Sequence, residues 1–215
     1  MKNSDLFLRE SDYPDIPYAA AAGRLSRAVS FPTVSYTDTS RIDYAAFDGF
    51  REFLRGAYPA VAERGTWENV GRSLLITIPG TDPSLRPALF LAHQDVVPVV
   101  PGTERDWIHA PFSGDIDGGF IWGRGTLDIK EMLIAEMECA EFFLSRGVPL
   151  RRTVMLAFGE DEESLSHGAQ AVAGLLEARG VTPEYVLDEG SGDVVDAADW
   201  GAPGTLLKMR PSAPP

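Results

Sequence analysis

The sequence is poor in the residues that build disulfide frameworks and nucleic-acid footprints. It has one cysteine, Cys139, in 215 residues, which excludes an intramolecular disulfide and a thiolate metal cluster. Basic residues are scarce: 19 Lys and Arg face 32 Asp and Glu, for a formal net charge of -13. Phosphate backbones need a Lys/Arg footprint, so nucleic acid is not an expected partner, and neither is an anionic membrane surface. Long apolar runs are also missing, because no stretch reaches ~18 apolar residues and the opening MKNSDLFLRESDYPDIPY holds no apolar targeting segment. The expectation from these absences is a cytoplasmic protein whose acidity is an ordinary solvated surface, matched in part by bound divalent cations.

What is present suits a packed core. Hydrophobic residues make up 44% and charged residues 24%, close to globular averages, and the length allows one sizeable domain or one domain and part of another. Residues 1–16 read as a flexible N-terminus. Helical spacing predicts a helix from about Pro17 to Ser30, with Asp15 placed to cap it, and a second from Ile42 to Ala57 with a Phe47, Phe50, Leu54 stripe. SLLITI (73–78), ALFLA (88–92) and RRTVMLAF (151–158) are apolar runs of the kind that form buried strands of a sheet covered on both faces. A hairpin is expected over 112–122 with Asp117-Gly118-Gly119 as its turn. Amphipathic helices follow, one after Gly125 and stopped by Gly147, one over 169–179, and then a short strand at 185–187. Strands alternating with helices predict an α/β fold with a mixed, mostly parallel sheet flanked by helices. The end of the chain (193–215), with Pro203, Pro211, Pro214 and Pro215, reads as irregular.

The chemistry-bearing residues fall at element ends. His93 and Asp95 follow the ALFLA run, Asp128 precedes a helix, the Glu162-Glu163 pair follows a strand, and the Asp188-Glu189 pair follows another. Each has a plain structural reading: a histidine after a strand is commonly structural, an aspartate before a helix commonly caps it, and paired acids commonly form a solvated turn. Four coincident element ends carrying imidazole and carboxylate instead point to one divalent-metal site. Asp95 is placed to accept the other ring N–H of His93 and fix its tautomer. Adjacent glutamates suit metal-assisted hydrolysis, which needs one carboxylate to hold the ion and one to take a proton from water. The serines lack a G-x-S-x-G elbow and Gly123-Arg124-Gly125 is too short for a phosphate cradle, so a nucleophilic triad and a nucleotide fingerprint are not expected. His109 carries no assigned role.

HQDVVPV, DW-x-H-x-PFSGDI-x-x-GFIWGRGTLD-x-K, AFGEDEES and YVLDEG together resemble the M20 family of metallopeptidases, in particular its carboxypeptidase S and aminoacylase-1-like branch, which includes N-acyl amino acid hydrolases. The resemblance covers roughly residues 18 to 192. It implies a zinc-exopeptidase-like catalytic domain and two Zn2+ ions bridged by Asp128. One ion would also be held by His93 and an acid of the Asp188-Glu189 pair, with Glu189 favoured, and the other by Glu163 and a histidine that these residues do not supply. Asp95 would be the acid behind the histidine and Glu162 the general base. Full protein ligands are therefore expected for about one ion. The substrate implied is a small peptide or N-acyl amino acid, cleaved next to a free carboxylate.

Departures from the family pattern are Glu131, where a glycine is usual after Asp-x-Lys, and Glu160, where a histidine is usual before the acids. The expected organisation is a partial catalytic domain at 17–192, without the second domain by which relatives often dimerise. Two further readings follow: a metal-binding chain without turnover, and a carbohydrate or nucleotide binder using the acids without metal.

Overall fold

The computed structural model describes residues 13–189, and the backbones of 194–196 and 207–209. The chain divides into two units, Pro17–Leu187 and a second formed by Met1–Ile16 with Asp188–Pro215. Most of the segments expected to be loose (1–16) or irregular (193–215) lie outside the described residues. Within the latter, Val194–Asp196 and Leu207–Met209 pair antiparallel, where the sequence predicts no regular element; three-residue strands fit on either side of Pro203.

The larger unit begins with α1 (Tyr18–Val29), whose N-cap is Pro17 and which has no side-chain cap bond. The expected cap by Asp15 is thus not made there. Helix α2 (Tyr44–Ala57) is capped by Asp43, whose carboxylate accepts the Ala45 N–H at 3.0 Å, and it buries Phe47, Phe50 and Leu54. Such a cap stabilises the helix by about 1 kcal/mol. Pro59 ends α2 and opens α3 (Pro59–Arg64), a short helix absent from the sequence reading. Its orphan Ala60 and Val61 N–H groups donate to Glu141 at 3.1 and 3.0 Å.

The sheet comprises β1 (Thr66–Val70), β2 (Ser73–Ile78), β3 (Ala88–His93), β6 (Val154–Gly159) and β7 (Tyr185–Leu187), in the order β1-β2-β6-β3-β7. Strands β6, β3 and β7 are parallel, while β1 and β2 are antiparallel additions. A separate hairpin pairs β4 (Ile116–Asp117) with β5 (Phe120–Ile121), turned by Gly118 and Gly119 at φ 59° and 83°. Helix α4 (Glu131–Ser145) and helix α5 (His167–Ala178) complete the unit.

Both faces of the sheet are covered, as the apolar runs require. Leu74, Ile76, Ile78, Leu156 and Phe158 pack with Phe50, Leu54, Tyr58, Leu133 and Met137 on one side. Leu75, Leu89, Met155 and Ala157 pack with Val172 and Leu176 of α5 on the other. The alternation follows from the two-residue period of a strand. Burying each of these side chains contributes about 1.5–3 kcal/mol, so Leu176→Ala would open a cavity and detach α5 in part.

Register places the site. His93 pairs with Gly159, so β3 and β6 end level with each other. The C-terminal ends of parallel strands, where open α/β sheets bind ligands, therefore carry His93 and the segment leading to Glu162-Glu163.

Candidate functional site

His93 closes β3 with its ring buried, and its Nδ1 lies 2.9 Å from the Asp95 backbone carbonyl and 3.2 Å from the Asp95 carboxylate. A carbonyl oxygen only accepts, so Nδ1 carries the proton. In the neutral ring the Nε2 lone pair then faces Asp128 Oδ1 at 3.3 Å and Glu162 Oε2 at 3.8 Å. Acceptors converging in this way repel one another unless a cation lies among them, and an imidazole with two carboxylates is a borderline divalent-metal donor set. The residues thus fit a metal.

Asp95 does more than orient the imidazole. It is fully buried, and its two oxygens accept the backbone N–H groups of Glu162 and Glu163, each at 3.1 Å. The segment around it is tied down in turn: Thr33 Oγ1 donates to the Gln94 carbonyl at 2.6 Å, and the Val96 N–H to the Thr33 carbonyl at 3.0 Å. Sequence spacing finds Asp95 through His93; its hold on the glutamate turn comes from tertiary register alone.

Asp128 does not cap a helix. It sits in extended backbone at φ -133° within the turn Thr126–Lys130, and α4 has no side-chain cap bond. Its side chain is 67% exposed, which leaves the carboxylate open to an ion and a substrate. The turn is fastened by Lys130, whose fully buried amine donates to the Ala28 and Phe31 carbonyls at 3.0 and 2.7 Å and lies 4.9 Å from the Phe50 ring centre. Burial pushes that amine down to about 7, against the opposing pull of Asp95. Lys130 was not singled out by the sequence; its only signal was a place in the motif after Asp128.

Glu163 is half-buried, and desolvation first, then the Asp128 charge, raise its carboxyl above the usual range. Glu131 is raised by burial as well, with backbone N–H groups of its own helix start opposing the shift. Glu160 turns to Ser73, which donates to it, and a Cβ at Gly168 would meet Glu160 Oε2. Asp161, unremarked in the sequence, holds the start of α5 by accepting the His167 and Gly168 N–H groups at 3.1 and 2.8 Å. The acids GEDEES therefore divide between structure and site. His109 Nδ1 meets Asp115 at 2.9 Å and its ring packs 4.7 Å from that of Trp122.

Strand β7 runs parallel to β3 and leads directly to Asp188 and Glu189. The Glu189 N–H donates to the Asp188 carboxylate at 2.9 Å. Beside Asp128 and Glu163 opens a cleft of about 570 Å³, walled by Leu25, Trp107, Phe120 and Trp122 and including Arg124. No helix among the described residues is long and apolar enough to cross a membrane.

Comparison with known proteins agrees with this architecture. The chain is 43% identical over 171 residues to the N-fatty-acyl-amino acid synthase/hydrolase PM20D1 of Bos taurus, covering 78% of this chain and 33% of that protein. It is 39% identical over 180 residues to carboxypeptidase S of Saccharomyces cerevisiae, covering 79% and 31%. The chain thus spans about a third of the length of these curated relatives. Among solved structures, an M20 family metallo-carboxypeptidase from Sulfolobus solfataricus matches with a TM-score of 0.62 and 22% identity over 80% of this chain and 37% of that one. Human carnosine dipeptidase 1 matches with a TM-score of 0.63 and 18% identity over 85% and 41%. These last two speak for the fold. The model of peptidase family M20/M25/M40 matches residues 89–201, more than half of the chain and a span that holds every candidate residue from His93 to Glu189, and the chain belongs to that family.

Proposed function

We propose that the chain carries the metal-binding and proton-transfer residues of a zinc-dependent hydrolase that cleaves a peptide or N-acyl amide bond next to a free carboxylate. The observation that carries this is His93: its Nδ1 is held by Asp95 while Nε2 faces Asp128 at 3.3 Å and Glu162 at 3.8 Å. His93, Asp128 and Glu189 would hold one zinc, and Asp128 and Glu163 would contribute to a second. We read residues 17–192 as the part of the catalytic domain that holds these groups.

Zinc, when bound, supplies Lewis-acid chemistry at the scissile carbonyl. The chain's own residues do the rest. Asp95 fixes the His93 tautomer and the height of the glutamate turn. Glu162, 46% exposed and close to the imidazole, is placed to take a proton from water and return it to the leaving amine. Names of the relatives support an N-acyl amino acid or a short peptide as substrate.

The test is Glu162→Ala assayed on N-acyl amino acids and dipeptides alongside metal analysis. Turnover should vanish while zinc stays bound; retained turnover would refute the role. A second reading is a chain that binds metal without turnover. About one zinc per chain and no hydrolysis by the unaltered protein would select it.

A further inference from the structure

Of the two ions in the hydrolase reading, the second has Asp128 and Glu163 as its protein donors, and a third acid stands beside them. Glu131 lines the same cleft as Asp128 and Glu163. It opens α4 directly after Lys130, whose amine is bonded to the Ala28 and Phe31 carbonyls, so the backbone that carries it is fastened to the end of α1. Its Oε2 is enclosed by the protein and has no hydrogen-bond partner among the described residues. Burial raises the Glu131 carboxyl, the N–H groups of Glu131 and Met132 oppose that shift, and the charges of Asp128 and His93 then act on it in opposite directions. The carboxylate is therefore within electrostatic reach of two of the metal-type donors.

Neighbouring acids are differently placed. Glu160 accepts from Ser73, Asp161 accepts the His167 and Gly168 N–H groups, and Asp95 accepts those of Glu162 and Glu163. An enclosed carboxylate oxygen without a donor is costly, and the like charges of Asp128 and Glu163 at the same cleft add to that cost. A divalent cation removes both penalties at once. An ion seated between side-chain oxygens ends up enclosed by them, so an oxygen hidden from solvent remains within its reach. Three carboxylates without an imidazole make an all-oxygen donor set, which suits a harder ion than the set that contains His93.

We propose that Glu131 is the third protein ligand of the second ion, so that Asp128, Glu131 and Glu163 form an all-carboxylate site for a hard divalent cation of the Mn2+ class beside the zinc held by His93. The assignment rests on the metal part of the hydrolase reading, and its test is independent of turnover. The full chain is loaded with one equivalent of zinc and titrated with Mn2+, which is followed by the loss of the free-ion signal in electron paramagnetic resonance and by metal analysis after desalting. One Mn2+ should bind while the zinc stays.

Glu131→Gln should weaken Mn2+ binding about tenfold or more and leave the zinc in place, because one anionic donor of three is lost. Glu160→Gln removes the same charge from a side chain held by Ser73 and should weaken it less than about threefold, which separates a ligand from a general charge effect. Without metal, Glu131→Gln should unfold at the same or a higher temperature than the parent, since it relieves like charge at the cleft. Added Mn2+ should then raise the unfolding temperature of the parent and not that of Glu131→Gln. The proposal is overturned if the parent holds a single ion in all, if Mn2+ displaces the zinc, if either variant falls on the wrong side of its limit, or if metal-free Glu131→Gln is the less stable, which would make the carboxylate structural. Failure of the hydrolase reading would show separately, as a chain that holds both ions and turns over neither N-acyl amino acids nor dipeptides.

Discussion

Asp95 accepts the Glu163 backbone N–H at 3.1 Å while its other oxygen lies 3.2 Å from the His93 ring. One buried carboxylate therefore sets both the imidazole and the glutamate turn. Asp95→Ala should cost about 2–4 kcal/mol in chemical unfolding, because it leaves the two backbone N–H groups of Glu162 and Glu163 short of an acceptor and removes the carboxylate beside the imidazole. Zinc affinity should fall about 10–100-fold in calorimetry, as is usual when the group behind a ligand is lost. Asp95→Asn should fall between the two, since its amide oxygen still accepts but carries no charge.

Lys130 acts at the other wall of the site. Its amine joins the turn that bears Asp128 to the end of α1 through the Ala28 and Phe31 carbonyls. Lys130→Met keeps much of the volume and removes both bonds; about 1–3 kcal/mol of stability should be lost in urea titration. Protection of the Asp128 turn in hydrogen exchange should drop more than that of α4.

Gly125 has φ 82°, and a Cβ there would stand 2.3 Å from Val96 Cγ1. Gly125→Ala combines a left-handed backbone with that collision, so a loss of about 2–4 kcal/mol is expected, larger than for an exposed turn glycine. Gly147→Ala is the control: its φ is 68°, yet nothing lies within 4 Å of its Cβ position, so about 1 kcal/mol should suffice.

Tyr58 provides a pH signature. Its buried hydroxyl donates to Glu138 at 2.9 Å, and desolvation first, then the Glu138 charge, raise its ionisation above that of an ordinary phenol. An unfolded tyrosine ionises near ~10, so above that pH the folded chain holds a proton that the unfolded chain has released. The contribution is complete below pH ~10 and is lost as pH rises towards the folded value. Unfolding curves between about pH 9 and 11 should fall less steeply for Tyr58→Phe than for the parent chain.

Local pattern carried much of the architecture into the sequence. The stripe Phe47, Phe50, Leu54 and the runs at 73–78 and 88–92 became a buried helix face and buried strands because period and burial agree within a single element. β1 and α3 escaped: TWENV has little apolar alternation, and Pro59–Arg64 is short and held by a distant Glu141. The donor residues were visible as acids and a histidine at element ends. Which acids face inward was not, since Glu162 and Asp161 differ only in what β3 and α5 bring to them. Lys130 was hidden for the same reason, because a charged side chain's burial depends on partners far along the chain.

The strand order has a colloidal corollary. Among the described residues β7 is the outer member of its sheet, three residues long, with Tyr185, Val186 and Leu187 about half exposed. Such a border is a template on which another polypeptide can add its own backbone. In concentrated preparations the handling of this protein would be governed by that border rather than by its acidity: light scattering would climb with concentration while the helices remained intact, and a single charge at Val186 would be enough to keep the solution clear.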